Sequence, residues 1–232
     1  MSGGSRAVLF DLDETLYRER RFALSGFAAV ARMLEARTGV PSQHTFRQLV
    51  LAMRRGRRAS AFQALCADQR WPESWIPKFV EIVRTHTPKL TLPTRSRAVL
   101  REMRGSWRIA VVTNGLPSVQ RRKVKALGLE RLVDQVIYAE EHGLGIGKPE
   151  PSSFLAAARL LDVEPRRCVF VGDDLVKDIG GAARLGMSTI LVMRGDDSRR
   201  AGIDPGARVR RLADVPRIAR ILAGERERAQ CA

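Results

Sequence analysis

Apolar residues along this chain of 232 residues fall into two rhythms. Five short runs are apolar almost without interruption: Ala7–Phe10, Arg108–Val112, Gln135–Tyr138, Cys168–Val171 and Thr189–Met193. A strand that alternates shows one face to water, whereas an unbroken apolar run is covered on both faces, as in a parallel sheet. Between the later runs, apolar positions recur at helical spacing. Ser118–Leu127 closes at Gly128, Ser152–Leu161 runs to the turn at Glu164-Pro165, Ile179–Leu185 closes at Gly186, and Val215–Leu222 stops at Gly224. Glycine just past the last apolar position is a helix stop, because it takes the left-handed conformation without steric cost. Strands alternating with helices of this length predict βαβ units and an open α/β sheet. In such a sheet crossovers are right-handed and ligands gather beyond the carboxyl ends of the strands. The polar tail Glu225–Ala232 is expected to fray.

The rhythm breaks once. Between the strands at Ala7–Phe10 and Arg108–Val112 no further strand pattern occurs. Instead Arg20–Arg37, Thr45–Arg54, Ala59–Gln69 and Trp75–Arg84 carry apolar positions at helical period, for example Phe22, Phe27, Val30, Met33 and Leu34. Gly39-Val40-Pro41, Trp71-Pro72 and Thr87-Pro88 punctuate them. Residues 17–93 therefore read as a helical insert that returns through Leu92-Pro93, and residues 1–16 and 94–232 as the sheet-bearing core.

Composition narrows the class. No apolar run approaches the ~20 residues of a spanning helix, and acids interrupt the N-terminal stretch after Phe10, unlike a signal peptide. Cys66, Cys168 and Cys231 are odd in number and widely spaced, which argues against a disulfide framework or zinc site and for a reducing cytoplasm. The formal net charge of +16 invites a nucleic-acid reading. Yet only six of the 41 basic residues are lysine, an arginine bias that a GC-rich coding sequence also produces. Trp71, Trp75 and Trp107 are not interleaved with cations on one strand, so they read as packing residues. His44, His86 and His142 are scattered and read as surface or loop residues. Arg54-Arg55-Gly56-Arg57-Arg58 reads first as a solvated helix end. Its second reading is a guanidinium group presented to a further anionic group of a substrate.

Chemistry concentrates at the predicted strand ends. Phe10-Asp11-Leu12-Asp13-Glu14-Thr15-Leu16 follows the first strand and Val112-Thr113-Asn114-Gly115 ends the second. Gly147-Lys148-Pro149 opens a helix, and Val171-Gly172-Asp173-Asp174 ends a later strand, with Asp178 shortly after. Each segment alone is ordinary turn or cap chemistry. Parallel strands bring all of them to one sheet edge, where several carboxylates meet one hydroxyl and one ammonium. Carboxylates packed together need a cation, and an all-oxygen set suits Mg²⁺. A carboxylate beside that cation can attack phosphorus. Asp13 can protonate a leaving oxygen and then deprotonate water. Thr113, the backbone N–H after it and Lys148 can hold phosphoryl oxygens.

In these four segments the chain resembles the haloacid dehalogenase-like hydrolases, and the likeness runs from Ala7 to about Leu222. The resemblance implies a Rossmann-like core with Asp11 as nucleophile and Asp13 as general acid/base. It implies Mg²⁺ on the Asp11 and Asp173 carboxylates and the Asp13 backbone carbonyl, and phosphate on Thr113, Asn114 and Lys148. Asp174 and Asp178 are implied to hold metal-bound water or to support its ligands. The insert matches the helical cap of the phosphoglycolate phosphatase-like branch. Thr113-Asn114-Gly115 followed by Gln120 and Lys123 is similar to the nucleotidase and N-acylneuraminate-9-phosphatase group. One departure is that Glu140–Gly147, before Lys148, is longer and richer in glycine than the usual form. The dehalogenases of the superfamily lack the second aspartate, so Asp13 disfavours carbon–halogen cleavage.

The expected activity is Mg²⁺-dependent hydrolysis of a small phosphorylated metabolite, with no membrane and no specific nucleic-acid partner. The alternatives are a sugar-phosphate mutase using the same aspartates, which would exclude water, and a basic nucleic-acid-binding protein on a degenerate hydrolase scaffold. Intact motifs argue against the last. The substrate and the oligomeric state stay open.

Overall fold

The computed structural model describes residues 5–56, 60–193 and 202–230. Six strands, β1 (Ala7–Phe10), β2 (Arg108–Thr113), β3 (Gln135–Tyr138), β4 (Cys168–Gly172), β5 (Ser188–Val192) and β6 (Ala207–Val209), form one sheet in the order β3-β2-β1-β4-β5-β6. Every pairing is parallel. This is the expected α/β core, with strand boundaries within a residue or so of those read from the runs. The order reverses at β1, which is flanked by β2 and β4: Phe10 is in register with Val111 on one side and Val171 on the other. Such a switch point opens a crevice at the carboxyl ends of the strands.

Burial explains the unbroken apolar runs. All four residues of β1, and Ile109–Val112 of β2, have no exposed surface. One face of the sheet packs Leu9, Ala110, Val112, Ile137 and Phe170 against Phe154 and Ala157 of α7 (Ser152–Leu160). The rings of Phe154 and Phe170 meet at 5.0 Å, tilted by 58°. In chain order the helices preceding α7 are α1 (Arg20–Thr38), α2 (Ser42–Arg54), α3 (Ala61–Gln69), α4 (Ile76–Thr85), α5 (Thr94–Arg104) and α6 (Pro117–Leu127). Two follow it, α8 (Gly181–Ala183) and α9 (Val215–Gln230).

The structure departs from the sequence reading at four elements. Helix α5 and the edge strand β6 were not expected. The helix expected over Ile179–Leu185 is instead a π-turn at Leu175–Gly180 followed by the short α8. Helix α9 does not stop at Gly224, and its backbone continues to Gln230 through most of the tail expected to fray. Glycine weakens a helix interior by about 1 kcal/mol but does not forbid it. Cys231 and Ala232 lie outside the described residues.

The chain forms two compact units, Glu19–Leu90 and the flanking Met1–Arg18 with Thr91–Ala232. Tyr17, placed in the insert from sequence, falls with the sheet-bearing unit, where it is 1% exposed. The helical unit has its own core, in which Phe27, Val30 and Leu34 of α1 meet Leu49, Leu65 and Phe79. Gly26 lets α1 and α4 approach, since a Cβ there would lie 2.9 Å from the Val83 side chain. The left-handed Gly39 (φ 75°) ends α1, its N–H donating to the Glu35 carbonyl.

Candidate active site

The sheet geometry brings the sequence-selected residues to one edge. Asp11 is the first residue beyond β1, and its N–H donates to the Val171 carbonyl of β4 at 2.9 Å. Thr113 ends β2, Asp173 follows β4, and Lys148 arrives from the loop before α7. Asp11 and Lys148 are buried, at 7% and 4% exposure.

Lys148 sits among acids. Its Nζ donates to Asp11 Oδ1 at 2.7 Å and to the Val112 carbonyl at 2.9 Å, and pairs with Asp178 Oδ1 at 2.8 Å. An ammonium has three protons, so these acceptors use all of them. A phosphoryl oxygen reaches Lys148 only by displacing one. Burial works against the Lys148 charge, but Asp11 and Asp178 outweigh it and hold the ammonium above the usual lysine range. The Asp11 carboxyl is pushed up to about 8, first by burial and then by Asp178 and Asp13, against the pull of Lys148. Asp173 is raised to about 6 by burial and by the neighbouring Asp178, Glu14 and Asp174.

These shifts bear on whether a cation fits. One carboxylate oxygen from each of Asp11, Asp173 and Asp178 lies within 4.8 Å of the others. With all three ionised, as cation binding would require, one ammonium leaves two negative charges, and the donors are all hard oxygens, so the set fits a divalent cation such as Mg²⁺. Asp178 is 2% exposed and belongs to this cluster more closely than sequence suggested. Gly172 makes room for it: a Cβ on residue 172 would lie 2.3 Å from Asp178 Oδ2. Asp174 has a different task, for its carboxylate accepts from the N–H groups of Val176 and Lys177 at 2.9 and 2.8 Å and caps the following turn.

Asp13 is held separately. Its carboxylate accepts from Lys123 Nζ at 2.9 and 2.8 Å, from Gln120 Nε2 at 2.8 Å and from the Tyr17 hydroxyl at 2.7 Å. Only its backbone carbonyl is left to serve a cation. Gln120 Nε2 also lies 2.5 Å from Thr113 Oγ1 and 2.7 Å from the Asn114 carbonyl, tying α6 to the end of β2. Gln120 and Lys123 are 1% and 4% exposed. Tyr17 had no role in the sequence reading, and Gln120 and Lys123 entered only through family likeness. Their three-residue spacing on one helix face, opposite an Asp-x-Asp strand end, was the available signal.

Asn114 is engaged as well. Its Oδ1 accepts from the Lys148 N–H at 2.8 Å and its Nδ2 donates to the Lys148 carbonyl at 2.9 Å, so its side chain positions the Lys148 backbone. That leaves the Asn114 main chain, not its amide group, to meet an anion. Gly147, with φ 74°, permits the approach, because a Cβ there would come 2.9 Å from Asn114 Oδ1. Glu140 accepts from the Gly115 N–H at 3.0 Å, which gives the glycine-rich departure before Lys148 an anchor on the same edge.

Comparison with known proteins identifies the family. The family model for haloacid dehalogenase-like hydrolases matches residues 5–186. The chain is 35% identical over 209 residues to a glyceraldehyde 3-phosphate phosphatase of Methanopyrus kandleri, covering 82% of this chain and 84% of that protein. It is 27% identical to the human N-acylneuraminate-9-phosphatase over 78% of this chain and 79% of that one. Its fold superposes on a HAD-hydrolase from Bacillus subtilis solved with magnesium, with a TM-score of 0.64, 20% identity, and coverage of 93% of this chain and 98% of that one. With the family match covering β1 to β4, and a relative 35% identical over most of both chains, the chain belongs to the haloacid dehalogenase-like hydrolases.

Proposed function

We propose that this enzyme, a phosphoric monoester hydrolase of its family, cleaves a small phosphorylated metabolite with Mg²⁺, through an aspartyl-phosphate on Asp11. The observation that carries the reading is the division of labour between two aspartates: Asp11 lies in the cation-ready carboxylate cluster, while Asp13 is held by Lys123, Gln120 and Tyr17. Carbon–halogen cleavage needs no proton for its leaving group and gives Asp13 no task.

Mg²⁺, held by the Asp11 and Asp173 carboxylates and the Asp13 carbonyl, would offset the repulsion between Asp11 and an anionic phosphoryl group. Asp11 Oδ attacks phosphorus as the ester P–O bond breaks, and Asp13, carrying a proton in place of one of the hydrogen bonds it accepts, gives that proton to the departing alcohol oxygen. Asp13 then takes a proton from water, whose oxygen attacks phosphorus and releases phosphate and the Asp11 carboxylate. Thr113 Oγ1 and the main chain beyond it orient the phosphoryl oxygens, while Lys148 compensates the charge of Asp11 and Asp178. The phosphatases named above support a compact, sugar-derived phosphomonoester as the substrate class.

The test is turnover of an aryl phosphate and of a panel of phosphorylated metabolites. Activity requires added Mg²⁺, stops with EDTA, and is lost in Asp11→Asn; an Asp11→Asn enzyme that turns over normally would overturn the mechanism. Transfer of phosphate to a second sugar, in place of inorganic phosphate release, would make the enzyme a mutase.

A further inference from the structure

The helical unit contains a cavity of about 570 Å³ lined wholly by its own residues. That volume is within the ~300–1,000 Å³ of small-molecule sites. Its floor is apolar, formed by Leu24 and Ala28 of α1 and by Val50 and Met53 of α2. Its polar side is cationic: Arg20, Arg21 and Arg32 from α1, Arg54 from α2, and Lys89 beyond α4. Among the described residues no aspartate or glutamate lines it.

The placement of two of these cations is informative. Arg20 and Arg21 occupy the first turn of α1, directly after the N-cap residue Glu19, and outnumber that single acid at the helix start. A helix N-terminus already carries partial positive charge, so arginines there raise the local potential and bring the helix no stability. An anion in the cavity would gain from both. The first turn is held in place on this side by packing and by Ser25, whose hydroxyl accepts from the Lys89 N–H at 2.8 Å and lies 3.1 Å from His86 Nε2.

A basic depression alone is weak ground on a chain of net charge +16. The sheet-bearing unit offers the control, a cavity of about 700 Å³ lined by Arg97, Arg101, Arg104, Lys125 and Arg131. That one includes Glu130, and its Arg104 guanidinium donates to the Arg131 carbonyl at 2.6 Å. It has a lining acid and an internal use for a cation, whereas no acid lines the cavity of the helical unit among the described residues. The arginine cluster singled out from sequence divides accordingly: Arg54 lines the cavity, and Arg57 and Arg58 lie outside the described residues.

We propose that the helical unit binds a small organic dianion with an apolar body, its charged groups on the Arg20, Arg32 and Arg54 guanidinium forks and its body on the Leu24–Ala28–Val50 floor. Phosphate, sulfonate and carboxylate groups all match the guanidinium geometry. Binding here is read independently of hydrolysis.

A naphthalene disulfonate, which no phosphatase can cleave, is the probe, titrated calorimetrically into the full chain. Binding is saturable, and Arg32→Ala/Arg54→Ala weakens it by about tenfold or more, through loss of two charge-assisted contacts. Arg97→Ala/Arg101→Ala removes the same charge from the other cavity and leaves the affinity unchanged. Ala28→Phe fills the floor without altering charge and also abolishes binding. Circular dichroism confirms that each variant is folded. Equal weakening by both arginine pairs would show a general field rather than a site, and no saturable binding at millimolar probe would end the proposal.

Discussion

Lys123 grips both oxygens of Asp13 from a position that, in sequence, looks like one more charge on a basic helix. Its side chain is 5% exposed, so the pair is little screened by solvent. Lys123→Met is expected to lower kcat by roughly 10²–10³ with little change in KM, because the loss is in positioning a proton donor and not in ground-state binding. Lys123→Arg should recover part of it. A KM change with kcat intact would place Lys123 in substrate binding instead. The carboxylate cluster makes a second prediction. Asp11 and Asp173 titrate at about 8 and about 6 when folded, against 3.8 for an ordinary aspartate. The folded state therefore binds more protons than the unfolded state between those values, and stability falls as pH rises through them. EDTA-stripped protein should lose melting temperature from about pH 4 to about pH 8, added Mg²⁺ should restore more at the upper end, and Asp11→Asn should flatten the slope; equal slopes in the two proteins would contradict the assignment. Asp11, Asp13, Thr113 and Asp173 were legible as motif residues at strand ends, and Lys148 as one opening a helix. What was not legible was the division of acceptors: Asn114 serves the Lys148 backbone, Asp174 serves a cap, and Tyr17 serves Asp13. Those depend on which way a side chain turns within a loop, and composition carries no record of that.

At the level of elements, the strands were readable because each is buried on both faces, which leaves no polar alternation to blur the run. Helix α5 escaped because four arginines dominate its eleven residues and mask the buried series Ser96, Val99, Leu100 and Met103. Strand β6 escaped because three residues, one of them an exposed arginine, carry too little pattern. The π-turn at Leu175–Gly180 follows from chemistry rather than periodicity. Asp174 caps its start, and the Asp174 N–H in turn donates to Asp178 Oδ2 at 3.1 Å, fixing a carboxylate of the cluster. On the same sheet, Phe154 has no exposed surface and carries α7. Phe154→Ala is expected to cost ~3–5 kcal/mol, measured by urea unfolding, because the ring leaves a cavity against Phe170 that the strand cannot collapse to fill. A cost below about 1 kcal/mol would mean that α7 is held by other contacts.

Over the whole molecule, a net charge of +16 accompanies an acidic site. A positive field speeds the encounter with a phosphorylated anion and does little once that anion is bound. Raising NaCl from roughly 50 to 300 mM should then lower kcat/KM severalfold while kcat holds. Loss of kcat with salt would point to the cation or the fold instead. The place of β1 in the sheet has a consequence for how the protein is made. Residues 7–10 leave the ribosome before the other strands of the sheet, yet their register partners Cys168–Val171 come last among the strands lining the site. Until then one edge of a wholly apolar strand has nothing to pair with, and Asp11 lacks the Val171 carbonyl that anchors its N–H. Folding of the catalytic edge is thus late and long-range, dominated by contacts more than a hundred residues apart, and a nascent chain stalled before β4 exposes an aggregation-prone strand and has no assembled site.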